Sequence, residues 1–297
     1  MKQNDSVLSV EPVVVMAGVM ALVPYLAAAF APRWAAGCVR SLPSWAQIGL
    51  PSLLGLPYVL VTLGAGNFAW GWLAVYGLMP VAIAGVLWTA NRVQWQTRWP
   101  ELLILLALGL AVDLRWQEGA WPAHLNVFNK ILLLDAGVYG FVALRPLEGT
   151  GFDLRLRPMD VVIGLREMVI YTPLALALGL SLGFLHLHLG WPGLAALGEA
   201  WIFTFFFIAV PEELFFRGWM QNLLERWMGR WAALGATAIL FGLAHFNKRA
   251  AYFNWRYVLL AAIAGVFYGR AWRAERRVGA SAVTHATVDS IWSLWLR

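Results

Sequence analysis

Two adjacent carboxylates and an arginine interrupt a stretch that is otherwise apolar enough to cross a membrane. In residues 201–219, WIFTFFFIAVPEELFFRGW, the side chains of Glu212, Glu213 and Arg217 fall within six positions. A charge at mid-bilayer costs at least ~2.5 kcal/mol on insertion scales, so such residues are rare and face a protein interior or a water-filled cavity. Two apolar segments further on each carry a histidine, in Phe241-Gly-Leu-Ala-His245 and in His285-Ala-Thr-Val-Asp289. Carboxylates and imidazoles are the groups that move protons near neutral pH. Carried into lipid together, they point to general acid–base chemistry within a membrane.

The spacing sorts these residues. On a helix, Glu213 and Arg217 are four apart and share a face, with the acidic partner on the favourable N-terminal side. Pairing offsets most of the cost of burying both. Glu212 is turned ~100° away and is left to face a cavity. Pro211 lacks a backbone N–H and is expected to loosen or kink the helix there. A purely structural lock explains Glu213 and Arg217 as well as a chemical role does, whereas Glu212 is the stronger candidate for chemistry. Phe241 and His245 share a face, as do His285 and Asp289. A single histidine in an apolar helix is more often a packing residue, so His245 gains its interest from the other motifs. Asp289 could accept a hydrogen bond from His285 and fix its tautomer, or serve as a cap or an arginine partner. Among weaker candidates, His186 and His188 end a segment and read as interfacial, His124 sits in a loop, and Lys130 and Asp135 are close enough in sequence to pair.

The elements that must position these groups follow from composition. The chain has 297 residues, of which 61% are hydrophobic and 13% charged, against roughly 25% charged in soluble domains. The expected fold is all-α, a polytopic transmembrane helical bundle. Its 18 tryptophans suit membrane interfaces, where amphipathic rings collect. The net charge of +6 does not indicate nucleic acid, because the basic residues fall in short inter-helix loops. Cys38 is the only cysteine, which excludes a disulfide framework and a thiolate metal cluster.

Apolar segments near 12–31, 47–65, 69–90, 101–112, 131–144, 168–186, 200–220, 231–246, 256–272 and 280–296 predict eight to ten spans. The first, preceded by the weakly charged MKQNDSVLSVE, reads as a retained span rather than a cleaved signal. The polar, turn-rich segment 145–158 divides the chain into an accessory bundle, 1–145, and a catalytic bundle, 146–297, which holds all three motifs. Ten arginines lie in the loops 145–166, 221–231 and 270–277, against Lys248, Arg249 and Arg256 in the loops opposite. The positive-inside tendency therefore places the arginine-rich side in the cytoplasm.

The order EExxxR, FxxxH, HxxxD across consecutive C-terminal spans resembles the CPBP family, which comprises type II CAAX prenyl endopeptidases and bacteriocin-processing-type proteins. Glu212-Glu213-Leu-Phe-Phe-Arg217-Gly218 is close to the family's full first motif, and the likeness covers about half the chain, from Arg157 to Trp295. The resemblance implies an intramembrane endopeptidase in which Glu212 activates water and His245 helps position or deprotonate it. It further implies that His285 and the residue at Asp289 stabilise the oxyanion, with Glu213 and Arg217 supporting the site and Phe241 beneath His245. The family's third motif usually ends in Asn, and here it ends in Asp289. An ionised Asp repels an oxyanion and a protonated one can donate to it.

No cofactor is expected under this reading. The alternative is a zinc site built from Glu212, His245, His285 and Asp289, since two His plus carboxylates is a common ligand mix. The expected partners are membrane lipid and a peptide or protein substrate, of CAAX type or otherwise membrane-associated, lipidated or not. The expected location is the bacterial cytoplasmic membrane. Two other readings compete: a catalytically silent immunity or scaffold protein, and a proton-relaying transporter. The absence of internally repeated spans in the sequence argues against the transporter.

Overall fold

A chain this apolar can satisfy its backbone in lipid only as helices or a closed barrel, and it has chosen helices. The structure, a computed structural model, describes residues 12–122, 125–188, 190–248 and 252–296, with no strand among them. The N-terminal residues 1–11, His124 and Arg249 lie outside the described residues. Two compact units emerge, Met1–Pro146 and Leu147–Arg297.

The N-terminal unit contains α1 (Pro12–Phe30), α2 (Pro32–Arg40), α3 (Ser44–Gly49), α4 (Leu56–Gly64), α5 (Trp70–Arg92), α6 (Trp99–Asp113) and α7 (Val127–Val138). A tight turn, Leu50–Gly55, joins α3 to α4, and wide helical turns extend α7 through Tyr139–Leu144. Its buried Glu101 accepts from Arg98 and Arg145, each at 2.6 Å. Aromatic side chains form a second anchor: Trp121 donates to the Tyr76 hydroxyl at 2.6 Å, which in turn donates to Asn129 at 2.9 Å. The expected Lys130–Asp135 pair does not form. Lys130 is exposed, whereas Asp135 is buried with neither oxygen hydrogen-bonded among the described residues. A separation of five residues turns the two side chains far apart on a helix.

The C-terminal unit contains α8 (Pro158–Ser181), α9 (Leu194–Thr204), α10 (Val210–Glu213), α11 (Asn222–Leu243), α12 (Trp255–Glu275) and α13 (Val278–Trp295). Pro158 begins α8 with the φ a first turn needs, and Asp160 accepts from the Arg157 N–H at 2.8 Å to cap it. Close helix crossings rest on small residues. A Cβ on Gly242 would lie 2.5 Å from the Val258 carbonyl, and one on Gly164 would lie 2.6 Å from Val283. These approaches seat α11 against α12 and α8 against α13.

The polar segment after Pro146 is folded into this unit as a strap over helix ends. The Glu148 carbonyl accepts from Asn222 at 2.8 Å and Arg226 at 2.7 Å, and the Thr150 carbonyl accepts from Trp272 at 3.0 Å. Gly151, at φ +71°, presses against the Arg276 backbone, where a side chain has no room. Arg277 closes the strap by donating to Asp160 at 2.8 Å and to the Arg155 carbonyl at 2.9 Å.

Six helical stretches among the described residues are long and apolar enough to cross a membrane: Pro12–Phe30, Ser44–Gly64, Trp70–Arg92, Val127–Leu144, Pro158–Ser181 and Leu194–Leu243. The last bends at Gly229, whose φ of 77° breaks the helix, so one stretch holds two of the segments read from the sequence. Two others, α12 and α13, carry several polar and ionisable groups, and α6 has 15 residues, short of the ~20 a full span needs.

Candidate functional site

The first motif sits where the helical winding is irregular. Wide, π-type turns cover Phe205–Ala209 and Leu214–Gln221, with the short α10 and its Pro211 between them. A proline cannot donate to the preceding turn, and wide turns of this kind concentrate at functional sites. Within this segment Glu213 and Arg217 are fully buried, and Arg217 Nε donates to Glu213 Oε2 at 3.1 Å. Arg217 Nη1 and Nη2 have no hydrogen-bond partner among the described residues. Aromatic faces take their place, with the guanidinium 4.9 Å from the Phe241 ring centre, 5.8 Å from Phe216 and 5.9 Å from Tyr268.

Glu213 also binds the third motif. Its Oε1 lies 2.9 Å from His285 Nδ1, and a carboxylate oxygen can only accept there, so Nδ1 carries the proton. The other ring nitrogen, Nε2, faces Asp289 Oδ2 at 3.5 Å. Tyr268 stacks on the imidazole at 4.6 Å, and Phe241 meets it edge-on at 5.7 Å. A continuous buried chain thus runs from Arg217 through Glu213 and His285 to Asp289, whose side chain is 29% exposed.

His245 closes the second motif. Its Nδ1 donates to the Phe241 carbonyl at 2.8 Å, which leaves Nε2 as the acceptor of the neutral ring. The ring packs between Phe241 at 4.9 Å and Tyr257 at 4.8 Å. Glu212 points elsewhere than Glu213, as the helical turn demands. Its side chain is 26% exposed, with Lys248 Nζ at 4.0 Å, and it lies within electrostatic reach of His245, as does Asp289.

His245, His285 and Asp289 line one cavity together with Tyr171, Tyr257 and Trp292. It encloses about 690 Å³ of empty space, counting its open mouth. Glu212 and Glu213 are not among its walls. The six candidates therefore fall into two sets: Glu213, Arg217, His285 and Asp289 in direct contact, and Glu212 and His245 within electrostatic reach of one another.

Residues 195–291 match the family model for type II CAAX prenyl endopeptidase Rce1-like proteins. The match covers about a third of the chain and supports CPBP family membership for the segment that carries the motifs. The matched segment holds all three CPBP motifs and none of the N-terminal unit. No curated protein and no solved structure matches the chain. A match to this family implies a CAAX protease-type endopeptidase of the membrane.

The donor set of this CPBP site does not fit zinc as it stands. Both nitrogens of His285 face carboxylates and His245 Nδ1 is committed to a backbone carbonyl, so of the four imidazole nitrogens only His245 Nε2 remains for a metal. Among the described residues no three His, Cys, Asp or Glu side chains gather to hold an ion. Four residues of the site carry no motif signal: Tyr268, Tyr171 and Tyr257 on or against α12, and Lys248 after α11. For the three tyrosines, a hydroxyl in an apolar helix was the available hint, since tyrosine hydroxyls in cores need partners.

Proposed function

We propose that the C-terminal unit is an intramembrane endopeptidase in which Glu212 is the general base. The observation that carries this reading is the Glu213 bridge. One fully buried carboxylate holds both Arg217 and His285, so the first and third motifs form one preorganised network beside the cavity. A scaffold role needs Glu213 and Arg217 alone and leaves Asp289 and His245 at a cavity wall without purpose.

In the proposed reaction Glu212 takes a proton from water while His245 Nε2 accepts a second hydrogen bond from it and fixes its orientation. The hydroxide adds to the scissile carbonyl carbon, and the carbonyl electron pair moves to oxygen. His285 donates its Nδ1 proton to Glu213, and a second proton is held between its Nε2 and Asp289 Oδ2, 3.5 Å apart. When the substrate carbonyl arrives, Asp289, which lines the cavity, carries that proton and turns it to the oxyanion as a hydrogen-bond donor. The C–N bond then breaks as the oxyanion collapses, and Glu212 returns its proton to the leaving amine. Glu213 is a positioning residue, fixing the His285 tautomer as the buried carboxylate of a hydrolytic triad does. Arg217 balances its charge.

The cavity's apolar and aromatic walls suit an apolar segment of the substrate, in keeping with a membrane-associated peptide, prenylated or not. Catalysis on this reading needs no metal. Glu212→Gln, tested on protein reconstituted in lipid with a fluorogenic membrane peptide, should abolish cleavage while leaving the thermal midpoint near wild type, because Glu212 is partly exposed. Cleavage that survives the substitution overturns the base assignment.

A further inference from the structure

The N-terminal unit lies outside the family match, yet it holds a cavity with one chemically demanding wall. The cavity encloses about 1270 Å³ of empty space, counting its open mouth, and its lining from α1, the Leu50–Gly55 turn and α7 is almost wholly aliphatic. The exceptions are Asp135 and Tyr139. Asp135 lines the cavity with Val138, Tyr139 and Val142, and the three- and four-residue spacing places all four on one helix face. Asp135 is 1% exposed, and neither carboxyl oxygen has a hydrogen-bond partner among the described residues. Tyr139, beside it, spends its hydroxyl on the Gln47 carbonyl at 2.6 Å, and Lys130 is out in the open.

A buried carboxyl without a donor demands an explanation, and in a span such groups pair with one another or mark a functional path. Asp135 stands midway along the stretch Val127–Leu144, deeper than lipid headgroups reach. Tyr25 lies within electrostatic reach of Asp135, yet neither carboxyl oxygen accepts from it, so a donor for Asp135 arrives at mid-membrane depth, on something that is itself embedded. The cavity's lining suits a packed helix. Its inner wall has the small residues Ala28, Ala36 and Ala143, which let backbones approach closely. Its rim has Val19, Val23 and Leu53, each more than half exposed. We propose that this cavity docks a transmembrane helix of a partner protein, and that a mid-span lysine on that helix pairs its ammonium with Asp135. The long apolar stem of lysine suits the aliphatic walls beside the carboxyl.

The test uses the full chain in lipid nanodiscs and two synthetic 23-residue Leu/Ala transmembrane peptides, one with a single central Lys and one with Leu there. Binding is read by energy transfer between labels. The Lys peptide should bind about tenfold or more tightly than the Leu peptide, and Asp135→Asn should abolish that preference while Asp135→Glu keeps it. Ala28→Leu, which fills the wall and leaves Asp135 in place, should weaken the Lys peptide. Equal binding of the two peptides, or a preference that survives in Asp135→Asn, overturns the proposal. So does binding of a long-chain alkylamine at Asp135 when the Lys peptide fails, because the occupant is then a small amphiphile. Without peptide, Asp135→Asn should leave the thermal midpoint level or raised, and a marked fall would mean that Asp135 is paired internally and the premise is wrong.

Discussion

Glu213→Gln isolates the buried bridge with minimal change of shape. Gln keeps one oxygen to accept from Arg217 Nε or from His285 Nδ1, which stand 3.1 and 2.9 Å from the native carboxylate, but it cannot serve both and has no charge. Removing one partner of a buried ion pair costs about 3–5 kcal/mol, and the retained acceptor returns about 1 kcal/mol. The aromatic cage around Arg217 is present in both proteins and drops out of the difference. The net loss is about 2–4 kcal/mol, which corresponds to a midpoint roughly 5–15 °C lower for a unit of this size on the soluble-protein scale. The assay is thermal unfolding of purified protein in one detergent at one scan rate. Glu213→Gln combined with Arg217→Met should then be more stable than Glu213→Gln alone, because no charge is stranded. A midpoint within about 2 °C of wild type, or a double variant as unstable as the single, refutes the bridge as the reason for burying both charges.

Asp289→Asn should retain cleavage, because the amide can still donate to the oxyanion; a strongly impaired Asn variant in a peptide-cleavage assay would mean that Asp289 serves as an acceptor for His285. Elemental analysis should find substoichiometric zinc, and cleavage should survive chelator dialysis; one tightly held zinc per chain, lost with activity in Glu212 or His245 variants, reverses the metal-free reading. Outside the membrane, hydrogen bonds and charge from Arg155 hold Asp153 down to about 2 from its ordinary 3.8. Its contribution to strap stability is therefore full above about 3.8 and lost as pH falls through about 2, so an Asp153→Asn deficit should be constant at pH 5–7 and vanish near pH 2 in a stability titration.

The all-α class was legible because composition and segment length alone demand it. The Glu213–Arg217 pair was legible because both residues sit on one turn of one segment, where spacing dictates proximity. The Glu213–His285 bond was not, because 72 residues separate the two and no periodicity reports a contact between helices. Tyr268 was hidden for a related reason. In α12 it is one aromatic among many, and only the packing of α11, α12 and α13 places its ring on His285. The strap after Pro146 looked like a spacer because its polar, glycine-rich composition is that of a linker. Its order comes from helix ends donating to its backbone carbonyls, which composition does not encode. Span counting suffered where hydropathy and geometry part: the break at Gly229 divides one apolar run.

Adjacency of the two glutamates is itself the device that the proposed mechanism uses. A side chain that supports a site must be immobile and dry, and one that attacks through water must reach water. Glu213 is fully buried and spends both oxygens on Arg217 and His285. Glu212 is about a quarter exposed, near Lys248 and within reach of His245. The turn of ~100° between neighbouring helical residues is what separates these environments without a second element. Wide turns on both sides of Pro211 give that segment the freedom to set the angle. Exchanging the two roles would require turning the helix about its axis, which the Arg217 cage of Phe216, Phe241 and Tyr268 prevents by fixing the Glu213 face inward.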